Sequence, residues 1–372
     1  MKLLFDLGDV ARANASTLLA FPAFMTLSRL AAVDRRDASS SSATLTFGVS
    51  LLACFGAQSG IWIASSTLGA GEAPASRRVR DAFILDATAA PVASLAIFNL
   101  WGAYMVTLLK ASGVALAETL VLKALALNVY SLLVVAVAGV VAVRTDRRAG
   151  VKSGGYLTIA TEAFARIPLL FKAYVCLFVF LKFLPLNVDS LDAVLLASVT
   201  VGSIAILERL LEREDIGVVL RLVGESVRAS ASPVLILTAG LFLSRLARDS
   251  GIGKSLFWSF ADSTIWIGRP AAAFLASSLV SLLTGSSWAT MALAFPAVAI
   301  EGEPLLVFMV GAVVSGAILG DHASPVSDTT IASAVAAGVR VREHALFQSR
   351  YVALCGAVCF LFFILVPAVF VD

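Results

Sequence analysis

The sequence predicts an all-α polytopic membrane protein with about eleven transmembrane helices, arranged as two inverted repeats with discontinuous helices. Composition is the first reason: 59% of the 372 residues are hydrophobic, 14% are charged, and the mean hydropathy is +0.93. A soluble domain is typically about 45–50% apolar and about 25% charged. The second reason is a series of long apolar segments, and the third is a short polar motif that occurs twice.

Apolar segments that approach the roughly 20 residues needed to cross a bilayer recur along the chain. The predicted spans are approximately 14–33, 43–69, 81–109, 114–143, 168–186, 190–207, 231–247, 252–268, 271–300, 304–338 and 351–371. The charged stretch 208–228 has apolar residues at helical spacing, which predicts an amphipathic helix at the membrane surface.

Short arginine-rich loops indicate how the chain is oriented across the membrane. These loops lie near residues 77–80, 144–152 and 339–350, and all three fall on the cytoplasmic side if the amino terminus is cytoplasmic. We therefore expect a multi-pass protein of a bacterial cytoplasmic (inner) membrane with a cytoplasmic amino terminus. His344 belongs to the third loop and is predicted to lie at the surface.

Two of the predicted spans are too long to be single straight helices. Residues 271–300 contain no charged residue, and residues 304–338 contain only two carboxylates. A straight helix of the second length would run about 50 Å, against a hydrocarbon core of about 30 Å. Gly285 and Pro325 lie in polar interruptions of these segments, and each is predicted to mark a helix break beside a polar cavity.

A repeated motif divides the chain into halves. Asp86-Ala87-Thr88-Ala89-Ala90-Pro91-Val92-Ala93-Ser94 resembles Asp321-His322-Ala323-Ser324-Pro325-Val326-Ser327, so Pro91 predicts a break like that at Pro325. The copies are separated by an odd number of predicted spans, which makes them inverted relative to each other. We expect one transmembrane transporter domain over 1–372, with a first repeat at 1–150, connecting spans and the amphipathic segment at 151–230, and a second repeat at 231–372.

Intramembrane carboxylates are the main candidates for chemistry. An ionised Asp near the bilayer centre costs at least about 2.5–3.5 kcal/mol, so Asp321, Asp328 and Asp86 need a function or a partner. A buried carboxyl group can hold either a proton or a cation, which is what an antiporter requires. We expect Na⁺ to bind at Asp321 and Asp328, although both could instead cap free backbone N–H groups at the break. His322 could relay protons or orient Asp321 by a hydrogen bond.

Hydroxyl groups near the breaks could supply neutral oxygen ligands to a dehydrated cation. Any single one is better explained by helix packing or by a bond to its own helix, and only the cluster indicates a site. The candidate supporting oxygens are those of Thr88, Thr284, Ser286, Ser287, Ser324, Ser327, Thr329 and Thr330.

Other function classes have little support in the sequence. There is no Gly-x-Ser-x-Gly elbow, Walker A motif or dinucleotide fingerprint, so we expect neither an enzyme nor a cofactor. The cysteines lie in apolar stretches without metal-ligand spacing. The net charge of +3 and the absence of a basic stripe argue against nucleic acid as a partner.

The runs Thr284–Met291 and Gly320–Thr330 resemble the NhaC-type Na⁺/H⁺ antiporter family, and Leu85–Leu95 resembles its first-half signature. The resemblance covers roughly residues 40–140 and 220–371 and implies exchange of cytoplasmic Na⁺ for external protons. Some members of that family couple ion movement to organic acids, such as malate for lactate. Members usually carry two acids, a tyrosine and an asparagine in the first-half span, where this chain reads Gly56-Ala57-Gln58-Ser59-Gly60.

The favoured function is therefore a Na⁺/H⁺ antiporter with Na⁺, H⁺ and the lipid bilayer as partners, and a homodimer is left open. An H⁺- or Na⁺-coupled carrier of organic anions or amino acids is the first alternative, because helix N-termini at the breaks could hold a carboxylate. A non-transporting membrane scaffold is the second, because neither Gly56 nor Ala57 is an acid.

Overall fold

The computed structural model confirms the all-α prediction, because every regular element in its described residues is a helix. The structure describes residues 15–33, 42–53, 57–65, 67–68, 73–151, 156–183, 188, 190–250, 268–299, 302 and 304–370. The helices are α1 (Ala15–Val33), α2 (Ala43–Leu52), α3 (Ala57–Ser65), α4 (Ala75–Ala93), α5 (Leu100–Ala111), α6 (Ala117–Leu125), α7 (Val129–Arg148), α8 (Tyr156–Arg166), α9 (Leu169–Phe183), α10 (Ser190–Leu211), α11 (Ile216–Ser250), α12 (Arg269–Thr284), α13 (Ser287–Val298), α14 (Leu305–Ala323), α15 (Asp328–Ala336) and α16 (Val341–Phe370).

Several helices suit a membrane. Among the described residues, four helical stretches are long and apolar enough to cross one, and a pair bent by 92° makes a fifth if it forms one span. They are Ala117–Arg148, Asp192–Leu211, Leu305–Ala323 and Val341–Pro367, and the bent pair is Thr158–Arg166 with Leu169–Lys182. One face of α16 exposes aliphatic side chains from Leu354 to Leu365, which fits a lipid environment. The total of about eleven spans stays a prediction, because several predicted spans consist of two shorter helices.

The charged segment 208–228 differs from the prediction of a separate surface helix. α10 continues to Leu211, a short turn follows in which Arg213 has a φ of 62°, and α11 then runs without interruption from Ile216 to Ser250. Glu, Arg and Leu are all good helix formers, so a change from charged to apolar residues does not end a helix. The predicted span 252–268 lies outside the described residues except for Gly268.

Both predicted breaks in the second half lie between helices of the structure. α12 ends at Thr284, and Gly285 caps it with a left-handed φ of 63°, which suits a residue without a Cβ; Ser286 caps α13. Pro325 lies in the connection between α14 and α15. The two breaks touch, because a Cβ added to Gly285 would lie 3.0 Å from the Val326 side chain.

The break in the first half comes slightly later than Pro91. Pro91 lies inside α4, which continues to Ala93 before an irregular segment leads to α5. A proline removes one hydrogen bond to the preceding turn but does not prevent the helix from continuing past it. Asn99 caps α5 by accepting hydrogen bonds from the backbone N–H groups of Trp101 and Gly102, at 2.9 and 3.1 Å.

α12 and α14 pack with unusually close backbones. A Cβ at Gly316 would collide with the carbonyl oxygen of Phe274, and a Cβ at Gly320 would collide with that of Ser278. Small residues four positions apart allow such close approach between helices in membranes, where the hydrophobic effect does not hold helices together. This contact fixes the end of α14, where Asp321 and His322 lie.

Candidate functional site

Asp86 lies in α4 with only 1% of its surface exposed. Its Oδ2 atom accepts hydrogen bonds from Thr330 Oγ1 at 3.0 Å and from His344 Nε2 at 3.1 Å. The Nε2 atom of His322 is 3.8 Å from the same oxygen. The structure therefore brings Asp86 against the Gly320–Thr330 run, as the repeated motif predicts.

The prediction that His344 is a surface residue is wrong. α16 begins at Val341, so this histidine lies in its first turn on the inward face and is fully buried. The loop interpretation failed because the surrounding arginines hid a helical pattern. Buried His344, Gln348, Cys355 and Cys359 recur at spacings of four or seven residues, and this periodicity could have revealed the face.

Two further buried residues near His322 were not anticipated from the sequence. The Tyr130 hydroxyl on α7 shares a hydrogen bond of 2.6 Å with Nδ1 of His322. Gln348 Nε2 donates to the His322 carbonyl oxygen at 2.6 Å and to Thr330 Oγ1 at 3.4 Å. These bonds hold the histidine ring and the start of α15 in fixed positions.

Asp321 lies at the end of α14 and is 4% exposed. Its Oδ2 atom accepts a hydrogen bond from Ser287 Oγ on α13 at 2.6 Å, so the two breaks meet at this carboxylate. Within the described part of the chain, Asp321 Oδ1, Ser324 Oγ, Gln348 Oε1 and His322 Nε2 have no hydrogen-bond partner. A buried polar atom left unsatisfied costs about 1–3 kcal/mol, so each of these atoms would be stabilised by a further hydrogen-bond or ion partner.

We call these buried residues, together with Ser324 in the connection after α14, the polar cluster: Asp86, Tyr130, Ser287, Asp321, His322, Ser324, Thr330, His344 and Gln348. They come from α4, α7, α13, α14, α15 and α16 and the connection after α14. A face of Phe83 covers one side, with its ring centroid 6.1 Å from that of His322 and nearly parallel to it. The cluster is thus a buried site between helices rather than a surface cleft.

Asp328 has a different environment from Asp321. It is the first residue of α15 and is exposed, whereas Asp321 is buried. A carboxylate in the first turn of a helix interacts favourably with the partial positive charge of that end. A shared role of the two acids in binding Na⁺ stays a prediction.

The predicted hydroxyl ligands have different hydrogen-bond partners. Ser287 and Thr330 donate directly to carboxylates, as described above. Thr88 and Thr284 instead donate to carbonyl oxygens of their own helices. Ser286 caps α13, and Ser327 and Thr329 share a hydrogen bond of 3.1 Å beside the break.

Two further observations concern a metal site and the first-half positions Gly56 and Ala57. Across the described residues, no three His, Cys, Asp or Glu side chains are arranged to hold a metal ion. A transported Na⁺ would use hydroxyl and carbonyl oxygens as well as carboxylates, so this observation does not bear on it. In the first half, Ala57 begins α3, and Gly56 lies outside the described residues.

Comparison with known proteins gives consistent matches. The model of the Na⁺/H⁺ antiporter family matches residues 95–368. A protein of Haemophilus influenzae named an uncharacterized Na(+)/H(+) antiporter is 35% identical over 130 residues, which are 34% of this chain and 28% of that protein. The malate-2H(+)/Na(+)-lactate antiporter of Bacillus subtilis is 38% identical over 76 residues, or 20% of this chain and 16% of that protein. The matches thus span less than a third of either relative.

Proposed function

The chain belongs to the Na⁺/H⁺ antiporter family, and we propose that it is a secondary transporter that exchanges Na⁺ for protons. In this proposal it is a transporter rather than an enzyme. Cytoplasmic Na⁺ leaves as external protons enter, across a bacterial inner membrane with the amino terminus in the cytoplasm.

The observation that carries the proposal is the convergence of two buried carboxylates from different halves of the chain. Asp86 and Asp321 both lie in the polar cluster, and His322 follows one and lies 3.8 Å from the other. Charged carboxylates are expensive at this depth, so they are expected to bind a cation or a proton whenever they face the membrane interior. Because the two carboxylates lie in one cluster, a cation on one and a proton on the other would oppose each other, and this competition is the basis of exchange.

The contacts suggest different roles for the two acids. Asp321 has an unpartnered oxygen and accepts a hydrogen bond from the Ser287 hydroxyl, so it is the proposed cation ligand. Asp86 accepts hydrogen bonds from Thr330 and His344 and is the proposed proton-carrying group. His322, which bonds Tyr130 and lies 3.8 Å from the Asp86 carboxylate, would exchange protons with it. Exposed Asp328, at the start of α15, would attract cations toward the break.

The proposal includes two inverted repeats at 1–150 and 231–372 with connecting helices between them. The packing partners support this organisation. α2 packs on α4 as α12 packs on α14, α3 packs on α15 as α13 packs on α5, and α4 packs on α7 as α14 packs on α16. Rocking of one repeat against the other would expose the polar cluster to each side in turn.

Transport in proteoliposomes tests the proposal. Liposomes loaded with a pH-sensitive dye receive Na⁺, Li⁺ or K⁺ in separate additions. We expect a Na⁺-dependent pH change with the wild-type protein, none with Asp321→Asn, and a higher Na⁺ requirement with Ser287→Ala. Glu212→Gln, which removes an exposed carboxylate after α10, is the matched control and should behave as wild type.

A carrier of organic anions is the second candidate, supported by the similarity to a protein named a malate-2H(+)/Na(+)-lactate antiporter. The unpartnered, buried Nε2 atom of His322 could donate to a substrate carboxylate. A wild-type protein that takes up labelled malate, yet gives no pH change with any cation, would replace the first proposal with this one. Failure of both assays would favour a scaffold without transport.

A further inference from the structure

A cavity of about 650 Å³ lies apart from the polar cluster, between α4, α7 and α16. The residues that line it fall into a basic group at one end and an apolar group along the rest.

The basic end brings four arginines together from three helices. Arg80 comes from the start of α4, Arg144 and Arg148 from the end of α7, and Arg350 from the early part of α16. Among the described residues that line the cavity, none carries a carboxylate. The Arg350 guanidinium lies 4.1 Å from the centre of the Phe347 ring, which holds its planar group in position. The end of the cavity is therefore built for a negatively charged group.

The apolar part continues from the arginines along α7. Leu133, Ala136, Val137 and Val140 have helical spacing, and Leu354 of α16 faces them across the cavity. From Leu133 to Arg144 the helix rises about 17 Å, close to half of a hydrocarbon core of about 30 Å. Val140 is 51% exposed and Leu354 is 60% exposed, so the cavity opens sideways on the apolar outer surface.

We propose that this cavity binds an anionic phospholipid, with the phosphate against the arginines and an acyl chain along α7. Basic pockets between membrane helices suit lipid headgroups, and the aliphatic groove below the arginines matches the other half of the same molecule. A small water-soluble anion would use the arginines but not the sideways opening. The proposal is independent of which ion or solute the protein transports.

Lipid binding to the purified full-length chain in detergent tests the proposal. The delipidated protein is titrated with phosphatidylglycerol, or with phosphatidylcholine bearing the same acyl chains, while its melting temperature and its lipid-bound mass are measured. We expect phosphatidylglycerol to bind and stabilise more strongly. The double variant Arg144→Gln/Arg350→Gln should bind it about thirtyfold more weakly, because each arginine near the headgroup contributes about fivefold.

A matched control separates this site from general charge. Arg147→Gln/Arg342→Gln removes the same charge from exposed positions that do not line the cavity, and it should bind phosphatidylglycerol within about twofold of wild type. Equal loss in both double variants, or equal binding of the two lipids by the wild-type protein, would overturn the proposal.

A second variant tests the acyl chain and leaves the arginines in place. Ala136→Phe puts a ring into the apolar part of the cavity, so phosphatidylglycerol binding should fall at least tenfold while the protein stays folded. Glycerol 3-phosphate, which has the charge without the chains, should not stabilise the wild-type protein. If it stabilises as strongly as the lipid, and Ala136→Phe has no effect, the site binds a soluble anion and the lipid proposal is wrong.

Discussion

Replacing Asp86 by Asn removes one charge from the polar cluster with almost no change in shape. The carboxylate accepts hydrogen bonds from Thr330 at 3.0 Å and His344 at 3.1 Å. A hydrogen bond to a charged group contributes about 1.5–3 kcal/mol and one to a neutral group about 0.5–1.5 kcal/mol, so the change costs about 2–3 kcal/mol for the two bonds.

Loss of the charge also stabilises the protein, by an amount similar to the weakening of the two hydrogen bonds. An ionised Asp near the bilayer centre costs about 2.5–3.5 kcal/mol on insertion scales, and a neutral amide relieves part of this cost. The free energy of unfolding should therefore change by no more than about 1 kcal/mol. Transport should nevertheless stop, because an amide cannot take up or release a proton. We expect the Na⁺-dependent dye signal to fall to that of empty liposomes, with a melting temperature near that of wild type.

Asp146 supplies a control with the opposite outcome. This buried carboxylate at the charged end of α7 accepts hydrogen bonds from Ser42 Oγ, the backbone N–H groups of Ala43 and Thr44, and Thr44 Oγ1, at 2.6–3.0 Å. Asp146→Asn weakens all four bonds, and it should lower stability by about 4 kcal/mol while the folded fraction still transports. Asp86→Asn protein that exchanges Na⁺ for protons at the wild-type rate would refute the role of Asp86 in proton transfer.

Three other substitutions give separate tests. His344→Gln replaces the donor to Asp86 at 3.1 Å by a side chain that cannot be protonated. If His344 passes protons to Asp86, the dye signal should fall at least tenfold, whereas an unchanged pH profile would show that His344 only donates a hydrogen bond. Tyr130→Phe removes the 2.6 Å hydrogen bond to His322, which is worth about 1 kcal/mol, so the melting temperature and the transport rate should both fall. Wild-type values of both would show that Tyr130 does not position the His322 ring. Gly320→Ala should reduce the monodisperse fraction in size-exclusion chromatography, whereas Gly202→Ala, where a Cβ meets nothing within 4 Å, should not.

Composition and local breakers were enough to predict the helical membrane class and the breaks at Gly285 and Pro325. These features depend on neighbouring residues in the chain, such as a left-handed glycine or a proline between polar residues. The sequence does not reveal the continuous α11, because the change from charged to apolar residues near residue 228 looks like a helix boundary. Charge determines where a helix meets water, but it does not determine where the helix ends.

The candidate site was predicted in part. The repeated motif predicts that Asp86 lies opposite the Gly320–Thr330 run, because in transporters built from inverted repeats the two corresponding segments meet at one site. Tyr130, His344 and Gln348 were missed because each is a single polar residue whose neighbours in sequence gave no signal. Only the three-dimensional packing of α7 and α16 brings them to His322 and Asp86.

The difference between Asp321 and Asp328 could not be obtained from spacing. Both acids flank the same break, and the sequence gives no reason to treat them differently. The break turns the chain so that Asp321 faces Ser287 while Asp328 starts a new helix in an exposed position. Their exposure depends on the path of four connecting residues, which is set by tertiary packing.

The backbone contact between α12 and α14 also restricts how the molecule can move. Gly316 and Gly320 lie directly against carbonyl oxygens of α12, and each is flanked by residues with side chains. Sliding α14 lengthwise would bring a side chain into a gap that only hydrogen atoms fit, so the two helices must travel as one piece. Asp321 belongs to this unit of α12 and α14. Ser281 of α12 also joins the two helices, because its hydroxyl donates a hydrogen bond to the Ala317 carbonyl oxygen on α14. Asp86 is on α4, outside it, so the distance between the two carboxylates is a natural coordinate for spectroscopic probes to follow.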